Sequence, residues 1–163
     1  MIELNAKEPE IFDGDLLVYF IKETGGNAVL CPGKVLRRTI KFAWKNKDFS
    51  GKRGQVFLFY PSAAKKDIKH NPVAGRVMAI GLGKMTDDMP PEALREQMRL
   101  AAGAAVSEAK KFKVKSLMTV LPDNTGLDDT QVAECMAEGL ILANYSFNHY
   151  RSKEGEGVDP AIE

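Results

Sequence analysis

The sequence predicts a three-layer α/β/α sandwich on a mixed, mostly parallel sheet, and three observations carry that fold class. Strand-like and helix-like segments alternate along the chain, the pattern of crossover connections between parallel strands. Most strand segments are unbroken apolar runs, as strands covered by helices on both faces require. The link from Tyr60 to Gly75 has no helical period, so the two strands it joins are predicted to pair antiparallel and make the sheet mixed. At 163 residues the chain has the length of one domain; folding at this size buries roughly 68 to 70% of the unfolded surface.

Ile2 to Leu4 reads as a first short strand, and Leu16 to Ile21, after the turn formers Asp13-Gly14-Asp15, as a second that is apolar throughout. Gly25-Gly26-Asn27 is a turn, with Ala28 to Leu30 a short strand before Pro32-Gly33. From Lys34 to about Lys45 the period becomes helical: Val35, Thr39, Ile40, Ala43 and Trp44 share one side, and Lys34, Arg37, Arg38, Lys41 and Lys45 the other. Gln55 to Tyr60 is rich in the residues that fill a pleated surface, and Pro61 closes it. Gly75 to Leu82 is a buried strand ending at Gly83.

Pro90 and Pro91 suit the first turn of the next helix, whose apolar stripe is Leu94, Met98, Ala101, Ala105, Ala109 and Phe112. Ser116 to Leu121 is the following strand, and Pro122-Asp123-Asn124 turns the chain. Asp128 and Gln131 stand at capping-box spacing, so the last helix begins there and runs to about Phe147, with Val132, Met136, Gly139, Ala143 and Phe147 on one face. A mid-helix glycine costs about 1 kcal/mol against alanine, so Gly139 is expected to touch a neighbouring backbone. Arg151 to Glu163 is polar, contains glycine and has no apolar period: a linker or tail.

Composition narrows the function classes. Apolar residues make up 44% and charged residues 28%, close to averages for folded water-soluble domains, which disfavours disorder and membrane classes. The longest apolar run falls short of the roughly 18 to 20 residues that span a bilayer, and Met1 to Glu10 has acids where a signal peptide carries positive charge, so a cytoplasmic location is expected. Cys31 and Cys135 are far apart and read as small buried hydrophobes. The formal net charge of +1 gives no bulk attraction to an acidic partner, so any electrostatic role must be local.

His70, in a lysine-rich loop, and His149, at a helix end, have no companion at metal-ligand spacing. A Gly-x-Ser-x-Gly elbow and a cysteine beside a histidine are both missing. Asp87-Asp88 and Asp128-Asp129 precede helices, where acids complement the positive end, so capping is the expectation for both pairs. Gly81-Leu82-Gly83-Lys84 closes a buried strand, where a backbone nest could cradle a phosphate through Gly81, Gly83 and Lys84. A tight turn is the simpler reading, because Met78 stands where a Walker motif needs glycine and neither serine nor threonine follows Lys84. Lys34 to Arg53 carries eight bases against one acid, Asp48. This charge run reads as a solvated face or subunit contact ahead of a nucleic-acid contact.

Three blocks, in order, carry a family resemblance: Arg76-Val77-Met78-Ala79-Ile80-Gly81-Leu82-Gly83-Lys84; Leu94-Arg95 leading to Ala101-Ala102-Gly103-Ala104-Ala105; and Ala137-Glu138-Gly139-Leu140-Ile141-Leu142-Ala143-Asn144-Tyr145-Ser146-Phe147-Asn148-His149-Tyr150. Together they resemble the amino-terminal domain of the leucyl aminopeptidase (cytosol aminopeptidase) family of two-metal exopeptidases. The resemblance covers about residues 1–150, and 151–163 is then a linker toward an absent carboxy-terminal catalytic domain. It implies a macro-domain-like sandwich, and a cytosolic parent that removes amino-terminal residues from peptides, with two zinc or manganese ions held by that second domain. No catalytic, cofactor-binding or metal residue carries over: Asn124-Thr125 continues with Gly126-Leu127, not with the family's metal-binding segment.

The function implied is an accessory, non-catalytic domain serving assembly and active-site access, with its own catalytic domain and sister subunits of a homo-hexamer as partners. Lys34, Arg37, Arg38, Lys41 and Lys45 are its candidate interaction surface. Two alternatives stand beside it. One is a macro-like module binding ADP-ribose or a related nucleotide, with Asp15 near a strand start and Gly81 and Gly83 as cradle. The other is DNA binding, which some bacterial members of the family perform through this region.

Overall fold

The computed structural model describes residues 8–23, 34–61 and 73–145. The strands expected at Ile2 to Leu4 and Ala28 to Leu30, together with Cys31, His70, His149 and the tail from Arg151, lie outside the described residues. After a 3-10 turn at Pro9–Ile11 the order is β1 (Leu16–Lys22), α1 (Lys34–Lys45), β2 (Val56–Phe59), β3 (Arg76–Gly83), α2 (Pro91–Lys111), β4 (Leu117–Thr119) and α3 (Asp129–Asn144).

The sheet order is β2-β3-β1-β4. β1 lies parallel to β3, with Val18 opposite Met78, and parallel to β4, with Leu17 opposite Met118. β2 runs antiparallel to β3, with Val56 opposite Ile80, so the sheet is mixed as expected. Side chains alternate between the faces of a strand, and both faces are covered. Leu16, Val18 and Phe20 join Met78, Ile80 and Leu82 under α2 and α3, around Met98, Ala102, Ala105, Val132 and Met136. Leu17, Tyr19 and Ile21 join Val77 and Ala79 under α1, around Ile40, Ala43 and Phe49. The unbroken apolar runs of β1 and β3 follow from this two-sided burial. On the α1 side Phe57 extends the core toward β2, its ring centroid 6.0 Å from that of Phe49 and 5.9 Å from that of Phe59.

Helix starts follow their local signals unevenly. At α3 the capping box forms: the Asp128 carboxylate accepts from the Gln131 amide at 2.9 Å, and the Gln131 side chain accepts from the Asp128 amide. At α2, Pro91 occupies the first turn, but the N-cap is Pro90 with no side-chain hydrogen bond. The capping role expected of Asp87-Asp88 is therefore corrected. The Asp88 carboxyl accepts from the Thr86 hydroxyl and its own amide, which hold it below the usual carboxylate range. Those bonds belong to the turn ahead of the helix.

Trp44 and Phe112, placed on apolar stripes by their spacing, are 38% and 37% exposed, Trp44 in the last turn of α1 and Phe112 at the cap just past the end of α2. α3 closes at Asn144, short of Phe147. The Lys110 ammonium donates to the Ala143 carbonyl at 2.9 Å and takes up part of the helix end, and Tyr145 turns to extended backbone. Gly139 does what its mid-helix position implied: a Cβ built there would lie 2.3 Å from the Arg99 carbonyl oxygen, so α2 and α3 meet backbone to backbone. Cys135, 3% exposed, is the small buried hydrophobe expected.

Candidate functional site

Open α/β sheets take ligands outside the carboxyl ends of their parallel strands, and in this fold β1 and β3 end side by side. The loop from Ser50 to Gln55 folds over that end of β3. Gly83 donates its amide to the Gly51 carbonyl at 2.8 Å, Gly81 donates to the Gln55 carbonyl at 2.7 Å, and Glu23 donates to the Gly83 carbonyl at 2.9 Å. A Cβ at Gly81 would lie 2.0 Å from the Lys52 carbonyl oxygen, and Gly83 has φ +80°. Both glycines are thus explained by close packing of the chain on itself. A phosphate at Gly81 and Gly83 would have to displace carbonyls that already accept those amides. Lys84 is exposed beside them. Beneath, the buried Gln97 amide donates to the Leu82 carbonyl and, at 3.3 Å, to that of Lys84, lining a cavity of about 110 Å³ with Arg53, Leu100 and Ala101.

Asp15 sits at the opposite end of β1. Its Oδ2 accepts from the amides of Lys115 at 2.8 Å and Ser116 at 3.2 Å, and its own amide donates to Ser116 Oγ at 3.0 Å. The residue therefore fastens β1 to the entry of β4. The Lys115 amide first, then the Ser116 amide, holds its carboxyl below the ordinary 3.8, with the charges of Arg76 and Lys115 adding to the effect. A pKa lowered by folding stabilises the fold at pH above the unfolded value and loses that contribution as pH falls through the folded one. Stability below about pH 4 should accordingly fall more steeply in the wild type than in Asp15→Asn, measured by urea midpoints across acid pH. Equal slopes would contradict the role assigned to these bonds.

A concavity of about 400 Å³ lies along the outer side of α1, lined by Arg37, Arg38, Lys41, Phe42 and Lys45. Ile40 and Ala43 face the core, and this leaves the four bases exposed. Lys34 opens the same helix, which has no acid in its first turn. Arg38, Lys41 and Lys45 make no ion pair among the described residues, where the three bridges are Arg99–Glu96, Arg99–Glu138 and Lys111–Glu108. Phe42 stands among these cations 65% exposed. The sequence reading missed it; its place four residues after Arg38 and one after Lys41 was the available signal, since residues four apart share a helix face.

Among the described residues no group of three or more His, Cys, Asp or Glu side chains is placed to hold a metal ion. Thr125, nearly buried, accepts from the Leu127 amide within a turn whose Asn124 and Gly126 both have positive φ, which gives the Asn124-Thr125 pair a structural job.

Residues 33–154 match the cytosol aminopeptidase family, N-terminal domain. Over 145 residues, 88% of the chain, the sequence is 32% identical to a probable cytosol aminopeptidase of Desulforapulum autotrophicum, and the match takes in 27% of that relative's length. A leucine aminopeptidase of tomato superposes with a TM-score of 0.60 at 21% identity, over 95% of this chain and 32% of the other. A macrodomain of Oceanobacillus iheyensis superposes with a TM-score of 0.60 at 12% identity, over 83% of this chain and 73% of the other. The two structural likenesses establish a macro-like α/β fold.

Proposed function

Because the chain belongs to the cytosol aminopeptidase family, as the counterpart of its amino-terminal domain, we propose that it is a non-catalytic accessory domain of a longer, metal-dependent aminopeptidase, serving assembly and access to the active site. The observation that carries this reading is the family match across 33–154, on a chain that spans 27% of a relative's length. In the whole protein, peptides are the substrate, and two divalent ions, zinc or manganese, belong to the catalytic part. No step of hydrolysis is assigned to this chain.

The geometry fits an accessory role. The end of β3 is occupied by backbone bonds to the Ser50 to Gln55 loop, while α1 offers a charged outer side. Function on a shared fold has to be argued from such sites, so the macrodomain likeness alone does not make a nucleotide the ligand. A cytosolic setting goes with the family, and no helix among the described residues is long and apolar enough to cross a membrane.

The reading is tested by hydrolysis of a leucyl amide substrate with manganese or zinc supplied. The longer protein carrying this domain should turn the substrate over, and residues 1–163 by themselves should not.

A further inference from the structure

The cavity of about 110 Å³ beneath the Ser50 to Gln55 loop has a polar end and an apolar end. A Cβ built on Gly83 would lie 2.9 Å from the Cβ of Arg53 and 3.2 Å from Nε2 of Gln97, so these two polar side chains meet at that glycine. Leu82, Leu100 and Ala101 make up the apolar end, with Leu82 and Ala101 buried and Leu100 half exposed at the rim. Gln97, 6% exposed, is held in place by the carbonyls of Leu82 and Lys84. Both bonds are made by its amide nitrogen, which leaves Oε1 as an acceptor fixed in position. Arg53 is exposed and makes no ion pair among the described residues.

We infer that this cavity binds a free aliphatic α-amino acid of the size of leucine. The carboxylate meets the Arg53 guanidinium, the ammonium donates to Gln97 Oε1, and the branched side chain lies against Leu82, Leu100 and Ala101. A cation beside a neutral acceptor matches a ligand that carries a carboxylate and an N–H donor on one carbon, and a few such groups in a mainly apolar pocket fix orientation. Volume selects the side chain: an apolar cavity of about 150 Å³ holds benzene, so one of about 110 Å³ takes roughly four carbons and excludes an aromatic ring. It is also well below the roughly 300 to 1,000 Å³ of pockets for larger ligands, a nucleotide among them. Amino acids of this kind are what an aminopeptidase releases, so in the longer protein the domain would sense product. That link alone rests on the proposed function; the binding rests on the cavity.

The test is a titration of 15N-labelled residues 1–163 with leucine, followed by amide chemical shifts. Saturable shifts are expected at Arg53, Gly54, Ala101 and the Gln97 side-chain amide, half complete at about 1 mM for a ligand of about nine heavy atoms. Glycine, which lacks the side chain, should bind about tenfold more weakly or worse. Isoamylamine, leucine without its carboxylate, and isocaproate, leucine without its ammonium, should each bind about fivefold more weakly, and phenylalanine should leave the cavity residues unshifted. Arg53→Gln should weaken leucine binding about fivefold with an unchanged urea midpoint, since Arg53 is a surface residue without an ion pair. No saturable shift with leucine, shifts confined to other residues, equal binding of glycine, isoamylamine or isocaproate, or an Arg53→Gln variant that binds as the wild type does would each overturn the inference. None of these outcomes alters the leucyl amide result, which tests the family reading by itself.

Discussion

Replacing Gly139 with alanine should lower the stability of the domain by about 1 kcal/mol, although the same change in an isolated helix raises it. Alanine is favoured over glycine in helices by about 0.8 to 1.0 kcal/mol. Here the added methyl carbon would stand 2.3 Å from the Arg99 carbonyl oxygen and 3.0 Å from the Ala102 methyl. Neither neighbour is the free end of a flexible side chain, so α2 and α3 must move apart. Ala102, Ala105 and Val132 then lose part of their shared packing. Overpacking of this kind costs about 1 to 3 kcal/mol, sometimes more, and exceeds the propensity gain. The urea midpoint should drop with the slope unchanged, and a midpoint above the wild type would show that the helices are not in backbone contact.

Ile80→Ala is expected to cost about 2 to 5 kcal/mol, out of a total stability of about 5 to 15 kcal/mol for a domain. Ile80 is fully buried on β3, the strand flanked by β1 and β2, and stands opposite Phe20 and Val56. Its side chain belongs to the core under α2 and α3, which is closed around it by Met78, Leu82 and Met98. Rigid neighbours on both sides leave little scope for collapse into the space left behind. Leu142→Ala is the matched control, since Leu142 is 72% exposed and surface changes stay within about 0.5 kcal/mol. Equal midpoints for the two variants would contradict the core assignment.

What could be read from the residues was local or periodic. The bounds of α1, the capping box at Asp128 and Gln131, the antiparallel β2–β3 pair and the close approach at Gly139 each rest on spacings within one segment or on one uninterrupted link. What could not be read depends on partners far along the chain. Lys110 ends α3 by reaching carbonyls 33 and 34 residues away. The Ser50 to Gln55 loop, lying on β3, decides why positions 81 and 83 are glycine. The side of the sheet on which each charged segment lands is fixed by topology, which no single segment reveals.

The candidate surface was legible as a basic run, but not in its detail. Periodicity separated Arg37, Arg38, Lys41 and Lys45 from Ile40 and Ala43, as the structure does. Phe42, four residues after Arg38 and so on the same side, was passed over because apolar residues at helical spacing are normally assigned inward. The strand-end glycines misled in the opposite sense, since a strand closing in Gly-Leu-Gly-Lys looks the same whether its amides await a phosphate or meet a loop.

The assignment of a non-catalytic domain is tested most directly by turnover of a leucyl amide by residues 1–163, purified free of other peptidases and given manganese or zinc. No hydrolysis above the metal-only blank is expected from residues 1–163, whereas the proposed longer aminopeptidase is expected to hydrolyse the substrate under the same conditions. Metal-dependent turnover by residues 1–163 that co-purifies with the chain would contradict it.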